Sequence, residues 1–248
     1  MKKIFICLIL SAFSLSCSKV DSAYVSKVTT YPIITVTGAN PYFVPKGGAY
    51  VEPGAIATEG TAVIPAVLTA KGNYRGGTTL DTNVTDEYSV TYTATNKDGF
   101  KATNSRKVIV YKTGDLVNSI EGVYKCTISR NGAIPGPSYI DIEYIYIWKN
   151  VDGTFGVSDA FGGWYEYGRA LGIGYITPAG TINAINIAAN NFTFPGATLT
   201  NTGFGGTANI TSLTVNSVTK KLVLTCVWTT PPPVAVRTFV ATLTQVQL

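Results

Sequence analysis

The sequence predicts an all-β protein of two units, a β-sandwich followed by an antiparallel β-barrel or curved sandwich. Three observations carry this expectation. The 248 residues hold 25 Gly, 12 Pro and 15 Tyr beside a single Met, a composition rich in turn formers and in side chains that suit a pleated sheet. Beyond Cys17 no apolar stripe recurs at the 3.6-residue helical period, whereas short runs alternate with period two. Gly, Pro, Asn and Asp clusters separate those runs at hairpin spacing.

Residues 1–17 read as a lipoprotein signal. Lys2 and Lys3 supply the positive start, Ile4–Phe13 an apolar stretch too short to span a bilayer, and Ser14-Leu15-Ser16 the approach to the cut. Cleavage before Cys17 would free its thiol and amine for acyl chains, and more than one chain gives stable anchoring. The rival reading is an ordinary secretory signal with Cys17 incidental; the aliphatic Leu15 lies one position later than in most lipoprotein signals. Residues 18–30 are polar and read as a flexible tether.

Residues 31–112 contain the strand-like runs Ile33–Val36, Tyr42–Val44, Ala62–Ile64, Tyr88–Ala94 and Lys107–Tyr111, separated by turn signals such as Glu52-Pro53-Gly54 and Lys97-Asp98-Gly99. Residues 113–120 read as a linker. In residues 121–248 the runs lie at 123–129, 139–149, 154–158, 171–176, 181–187, 191–194, 207–215, 222–229 and 235–245, enough for a barrel or a strongly curved sandwich.

Two stretches carry family resemblances. Gly47–Ala57, with Tyr88–Asn96 and Lys97-Asp98-Gly99, resembles the bacterial immunoglobulin-like domain of unknown function found on surface proteins and in some pesticidal crystal proteins. Asn96 stands where that family usually has Asp, and Glu59-Gly60-Thr61 replaces an acidic stretch, so the resemblance implies no calcium site here. Gly122-Val123-Tyr124, Gly162-Gly163-Trp164-Tyr165 and the run ending in Trp228 are similar to the lipocalin-like C-terminal domains of gut-commensal surface lipoproteins. The resemblances imply outer-membrane anchoring, surface-facing in preference to periplasmic, beside a nutrient-uptake complex of the starch-utilisation type.

The chemistry is bounded by what the chain lacks. With no histidine, Ser-His-Asp triads and histidine-ligated metal sites are excluded. The net charge of +5 falls when Lys2 and Lys3 leave with the signal, and the remaining charges are too scattered for a nucleic-acid partner. No cofactor is expected. Of the four cysteines, Cys126 and Cys226 remain in the body of the chain on apolar strand faces, as a disulfide or as two separate buried thiols.

The densest aromatic segment places Trp164, Tyr165 and Tyr167 beside Asp159, Glu166 and Arg169. Rings flanked by charged groups suit a glycan or small ligand; the alternative is a barrel plug with a Glu166–Arg169 surface ion pair. In run 139–149, Tyr144, Tyr146 and Trp148 share one face, as a stacking platform or as core. Asp141 with Glu143, or Asp159 with Glu166, would be the carboxylate pair of a hydrolase only at suitable separation. The leading expectation is a non-catalytic binding lipoprotein with the sandwich as spacer. The second is a structural or adhesive surface protein with a filled interior and a protein partner.

Overall fold

In the computed structural model the described residues are 28–196 and 198–248. The signal, Cys17 and residues 18–27 of the tether lie outside them. The N-terminal unit contains β1 (Pro32–Val36), β2 (Tyr42–Pro45), β3 (Ala55–Glu59), β4 (Ala62–Ile64), β5 (Ala66–Gly72), β6 (Asp86–Thr95) and β7 (Lys101–Tyr111). They form a three-stranded sheet, β1-β3-β4, and a four-stranded sheet, β2-β7-β6-β5, in which β2 runs parallel to β7. Alternation along β6 buries Tyr88, Val90, Tyr92 and Ala94 against Ile34, Val44, Ala57, Val108 and Val110. The result is the immunoglobulin-like sandwich.

Arg106 of β7 explains the Glu-Pro-Gly segment. Its side chain is fully buried, its Nε lies 2.9 Å from Glu52 Oε1, and its two terminal nitrogens donate to the carbonyls of Thr37 and Ala39. One guanidinium thereby satisfies the loops around β1, β2 and β3. Asn96 donates to the Thr30 carbonyl, and its Oδ1 accepts the N–H groups of Asp98 and Phe100, organising the β6–β7 turn without an acid.

The linker is held at both ends. Asp115 Oδ1 accepts the N–H groups of Val117, Asn118 and Ser119, while Gln245 at the far end of the chain donates to the carbonyls of Gly114 and Glu121.

The C-terminal unit contains β8 (Gly122–Arg130), β9 (Ile142–Lys149), β10 (Phe155–Val157), β11 (Asn183–Asn186), β12 (Asn191–Thr193), β13 (Leu199–Asn201), β14 (Gly205–Asn216), β15 (Lys221–Thr229) and β16 (Val236–Gln245). Seven of these make one antiparallel sheet in the order β10-β9-β8-β16-β15-β14-β13, curled into a half-barrel, with β11 and β12 as a separate hairpin. The concave face carries Tyr124, Cys126 and Ile128 of β8, Leu222, Leu224, Cys226 and Trp228 of β15, and Phe239, Ala241 and Leu243 of β16. Residues 158–182 fold into this concavity, so the interior is filled.

Three strands escape the sequence pattern, for physical reasons. The outer strand β5 is exposed at most positions and shows no apolar alternation; β3 is built largely of Ala and Thr; β13 has only three residues. Conversely, the run at 171–176 is not a strand. It contains Gly172 and Gly174, pairs with nothing, and makes a 3-10 turn at Ile173–Tyr175.

Strand β9 keeps Tyr144, Tyr146 and Trp148 on one face but takes Ile142 off it. Tyr124 pairs with Ile145, but two residues later Cys126 pairs with Ile142, a register shift that consumes one extra residue of β9. Ile142, Ile145 and Ile147 therefore all face the half-barrel core. Tyr146 and Trp148 turn to the other side, where they pack with Ile109, Phe43, Tyr74 and Tyr111 of the N-terminal unit. These rings form neither an open platform nor barrel core, but the seam between the two units.

Candidate functional site

The segment 158–169 is pinned before its rings are placed. Asp159 is fully buried and accepts the N–H groups of Phe161, Gly163 and Thr177, each at 2.9 Å. Burial pushes its carboxyl up to about 6, and those three donors oppose the shift. Gly162 sits at φ +61°, where a Cβ would stand 2.8 Å from Ala241 Cβ and 2.9 Å from Cys126 Sγ. Only a glycine lets this backbone lie directly on the sheet. A single π-helical turn, Trp164–Gly168, follows.

That turn sends the expected site residues in different directions. Trp164 is 1% exposed, 4.3 Å from Tyr139 and 5.7 Å from Phe239 between ring centroids; it is a core residue and not an exposed stacking surface. Glu166 and Tyr167 point to the seam, where the Tyr74 hydroxyl donates to Glu166 Oε1 at 2.8 Å and lies 3.1 Å from the Tyr167 hydroxyl. Burial, reinforced by the charges of Asp159 and Glu87, pushes Glu166 up to about 8. Arg169 is exposed and makes no ion pair with Glu166 among the described residues. Cys126 and Cys226 are separate buried thiols, so the disulfide reading gives way to its alternative. Each belongs to a different strand of the packed concave face.

Of the six, Tyr165 reaches a cleft at the surface. Together with Arg130, Phe204, Trp228, Thr230 and Arg237 it lines a cleft of about 520 Å³ at the rim of the half-barrel, walled on one side by the turn Pro231–Ala235. Tyr165 and Phe204 meet edge to face at 4.9 Å, and Tyr165 and Trp228 at 5.9 Å. The Trp228 indole N–H donates to the Gly205 carbonyl at 3.0 Å, and Gly206, at φ +76°, has its Cβ position only 2.5 Å from that nitrogen. Thr230 staples the proline wall, its hydroxyl donating to the Pro233 carbonyl at 3.0 Å and accepting from the Ala235 N–H at 2.9 Å. The size and the mixture of rings with a few polar groups are those of a small-molecule site.

The sequence signal for the arginines was strand parity. Along β8 the inward set Tyr124, Cys126, Ile128 continues to Arg130, and along β16 the inward set Leu243, Ala241, Phe239 continues back to Arg237. A charged residue at the end of an inward series marks the place where the core opens to solvent. Phe204 gave no such signal, because it stands in a turn. A second hollow of about 410 Å³ on the N-terminal unit has Glu52 as its only charged lining residue, and Glu52 is engaged by Arg106.

Comparison with known proteins agrees with this architecture. Residues 34–110 match the family model of the bacterial surface protein, Ig-like domain, and residues 113–245 match a family model described as a "-like, C-terminal domain". The crystal structure of the lipoprotein BT2262 from Bacteroides thetaiotaomicron is similar in fold, with a TM-score of 0.58 and 21% identity, over 86% of this chain and 99% of that one. No curated protein matches the chain in sequence. The chain belongs to the family defined by that C-terminal domain, here carried behind a bacterial surface Ig-like domain.

Proposed function

We propose that this protein is a lipid-anchored surface lipoprotein that holds a glycan or other small ligand in the rim cleft of its C-terminal unit. The immunoglobulin-like unit acts as a spacer from the membrane. The observation that carries this reading is the cleft of about 520 Å³ in which Tyr165, Phe204 and Trp228 stand beside Arg130, Thr230 and Arg237. Aromatic faces take the C–H faces of sugars, and the polar groups orient hydroxyls. A binding role in place of catalysis is supported by the lining, which contains no carboxylate and therefore no acid–base pair. The signal at residues 1–17 supports acylation at Cys17, and the surface-type Ig-like domain supports a place at the cell envelope; outer-membrane anchoring beside an uptake complex extends that reading.

Phe204 is 43% exposed, so Phe204→Ala tests the cleft without opening the core. Glycan-array and calorimetric binding should be at least tenfold weaker in F204A and in Tyr165→Ala; unchanged binding in both would remove the cleft from consideration. Anchoring is tested separately by labelling with a radioactive fatty acid, which should vanish in Cys17→Ala.

A structural or adhesive role has its own support. The interior of the half-barrel is filled, and β13 stands at one end of the sheet, whereas the outer edge of β10 is bonded to Ile182 and Ala179. That reading predicts capture of an outer-membrane protein that survives F204A.

A further inference from the structure

The rim cleft contains two guanidinium groups and no acid. Its lining includes Arg130 and Arg237 but neither Asp nor Glu, and neither arginine belongs to a salt bridge among the described residues. The sheet register brings them together. Arg130 pairs with Phe239 across β8 and β16, so Arg237, two residues before Phe239, is its diagonal neighbour at about 7–8 Å between Cα atoms. Arg237 also faces Trp228 directly across β15 and β16. Arg130 is held in place by its neighbours: its guanidinium carbon lies 4.6 Å over the Trp164 ring and its Nη1 is 3.5 Å from the Tyr165 hydroxyl. Two like charges at one mouth, with aromatic walls and no counter-charge, focus a positive potential into the cleft.

We infer that the ligand of this cleft is an acidic saccharide, whose carboxylate or sulfate group is taken by Arg130 and Arg237 while its ring lies against Tyr165, Phe204 and Trp228. The planar guanidinium fork matches the two oxygens of such a group, and a neutral sugar would leave both forks without an anionic partner. This rests on reading the rim cleft as a ligand site.

The test is calorimetry on the full chain solubilised in detergent, with four probes: galacturonate oligosaccharides, their methyl esters, sulfated galactan oligosaccharides and neutral galactan oligosaccharides. We expect one acidic series to bind at least tenfold more tightly than the neutral series, and binding to weaken as salt is raised. If galacturonate is the preferred acid, esterification should remove the advantage; if the sulfated series is preferred, sulfate is the group recognised. Arg237→Gln and Arg130→Gln, each checked for an unchanged melting temperature, should lose at least tenfold for the acid and a smaller factor for the neutral sugar. Should R130Q disturb packing on Trp164, the salt dependence of the unmodified protein and R237Q decide alone. Equal binding of neutral and acidic probes, insensitive to salt and to R237Q, would overturn the acidic preference and leave glycan binding intact. No binding of any probe by the folded protein would overturn both.

Discussion

Trp164 shows how the position of a single ring separates structure from recognition. It lies one residue from Tyr165, yet the π turn seals it among Tyr139 and Phe239 while Tyr165 reaches the cleft. Trp164→Ala should therefore cost about 3–5 kcal/mol in urea unfolding; a loss under about 1 kcal/mol would mean that the ring is not core. The two thiols make a second test at this scale. Burial pushes Cys226 up to about 12 and Cys126 well above the ordinary thiol range. Iodoacetamide at neutral pH should label neither in the folded protein and both in guanidinium chloride, as read by peptide mass spectrometry. Labelling under native conditions would contradict their burial.

At the level of elements, the loops of the sandwich depend on the pair Arg106–Glu52. A buried guanidinium that also satisfies two carbonyls leaves several unpaired groups when removed. Arg106→Ala should destabilise the N-terminal unit by about 3 kcal/mol, and a double-mutant cycle with Glu52→Gln should show coupling; additive effects would mean that the pair carries no specific energy. Gly47–Ala57 was legible as a motif, but its reason was not, because Arg106 lies 54 residues beyond Glu52. The register shift in β9 was equally hidden. Period-two alternation assumes an unbroken ladder, and one extra residue moved Ile142 off the face of Tyr144, Tyr146 and Trp148 and into the half-barrel core.

Across the whole molecule, the seam joins the units through ionisable groups. Glu166 faces Tyr74, Tyr167, Tyr146, Glu87, Lys107 and Asp159; Tyr146 donates to Glu87 at 2.6 Å and Lys107 pairs with it at 3.2 Å. Burial raises Glu166 from 4.5 to about 8, so the folded state holds that proton more tightly than the unfolded one. Its contribution to stability is complete below 4.5 and is lost as pH rises through about 8. Asp159 and Asp86, both pushed by burial to about 6, act with the same sign at lower pH. The melting temperature should fall across this window, and Glu166→Gln should flatten its upper part and raise stability at alkaline pH. An E166Q profile that overlays the parent would show that Glu166 is not buried at the seam.

Composition and period-two alternation determined by themselves that the chain is all-β, with a sandwich ahead of a second antiparallel unit. Both are local properties of a strand and survive any pairing. The tertiary structure decided which rings became core, seam and cleft: of the three tryptophans of the chain, Trp148 went to the seam, Trp164 to the core, and Trp228 to the edge of the same core, where it also lines the cleft. Their destinations depend on strand partners and on where residues 158–182 enter the concavity, both of which join residues far apart in sequence. For the same reason two arginines more than a hundred positions apart meet at one mouth, brought there by neighbouring strands of one sheet.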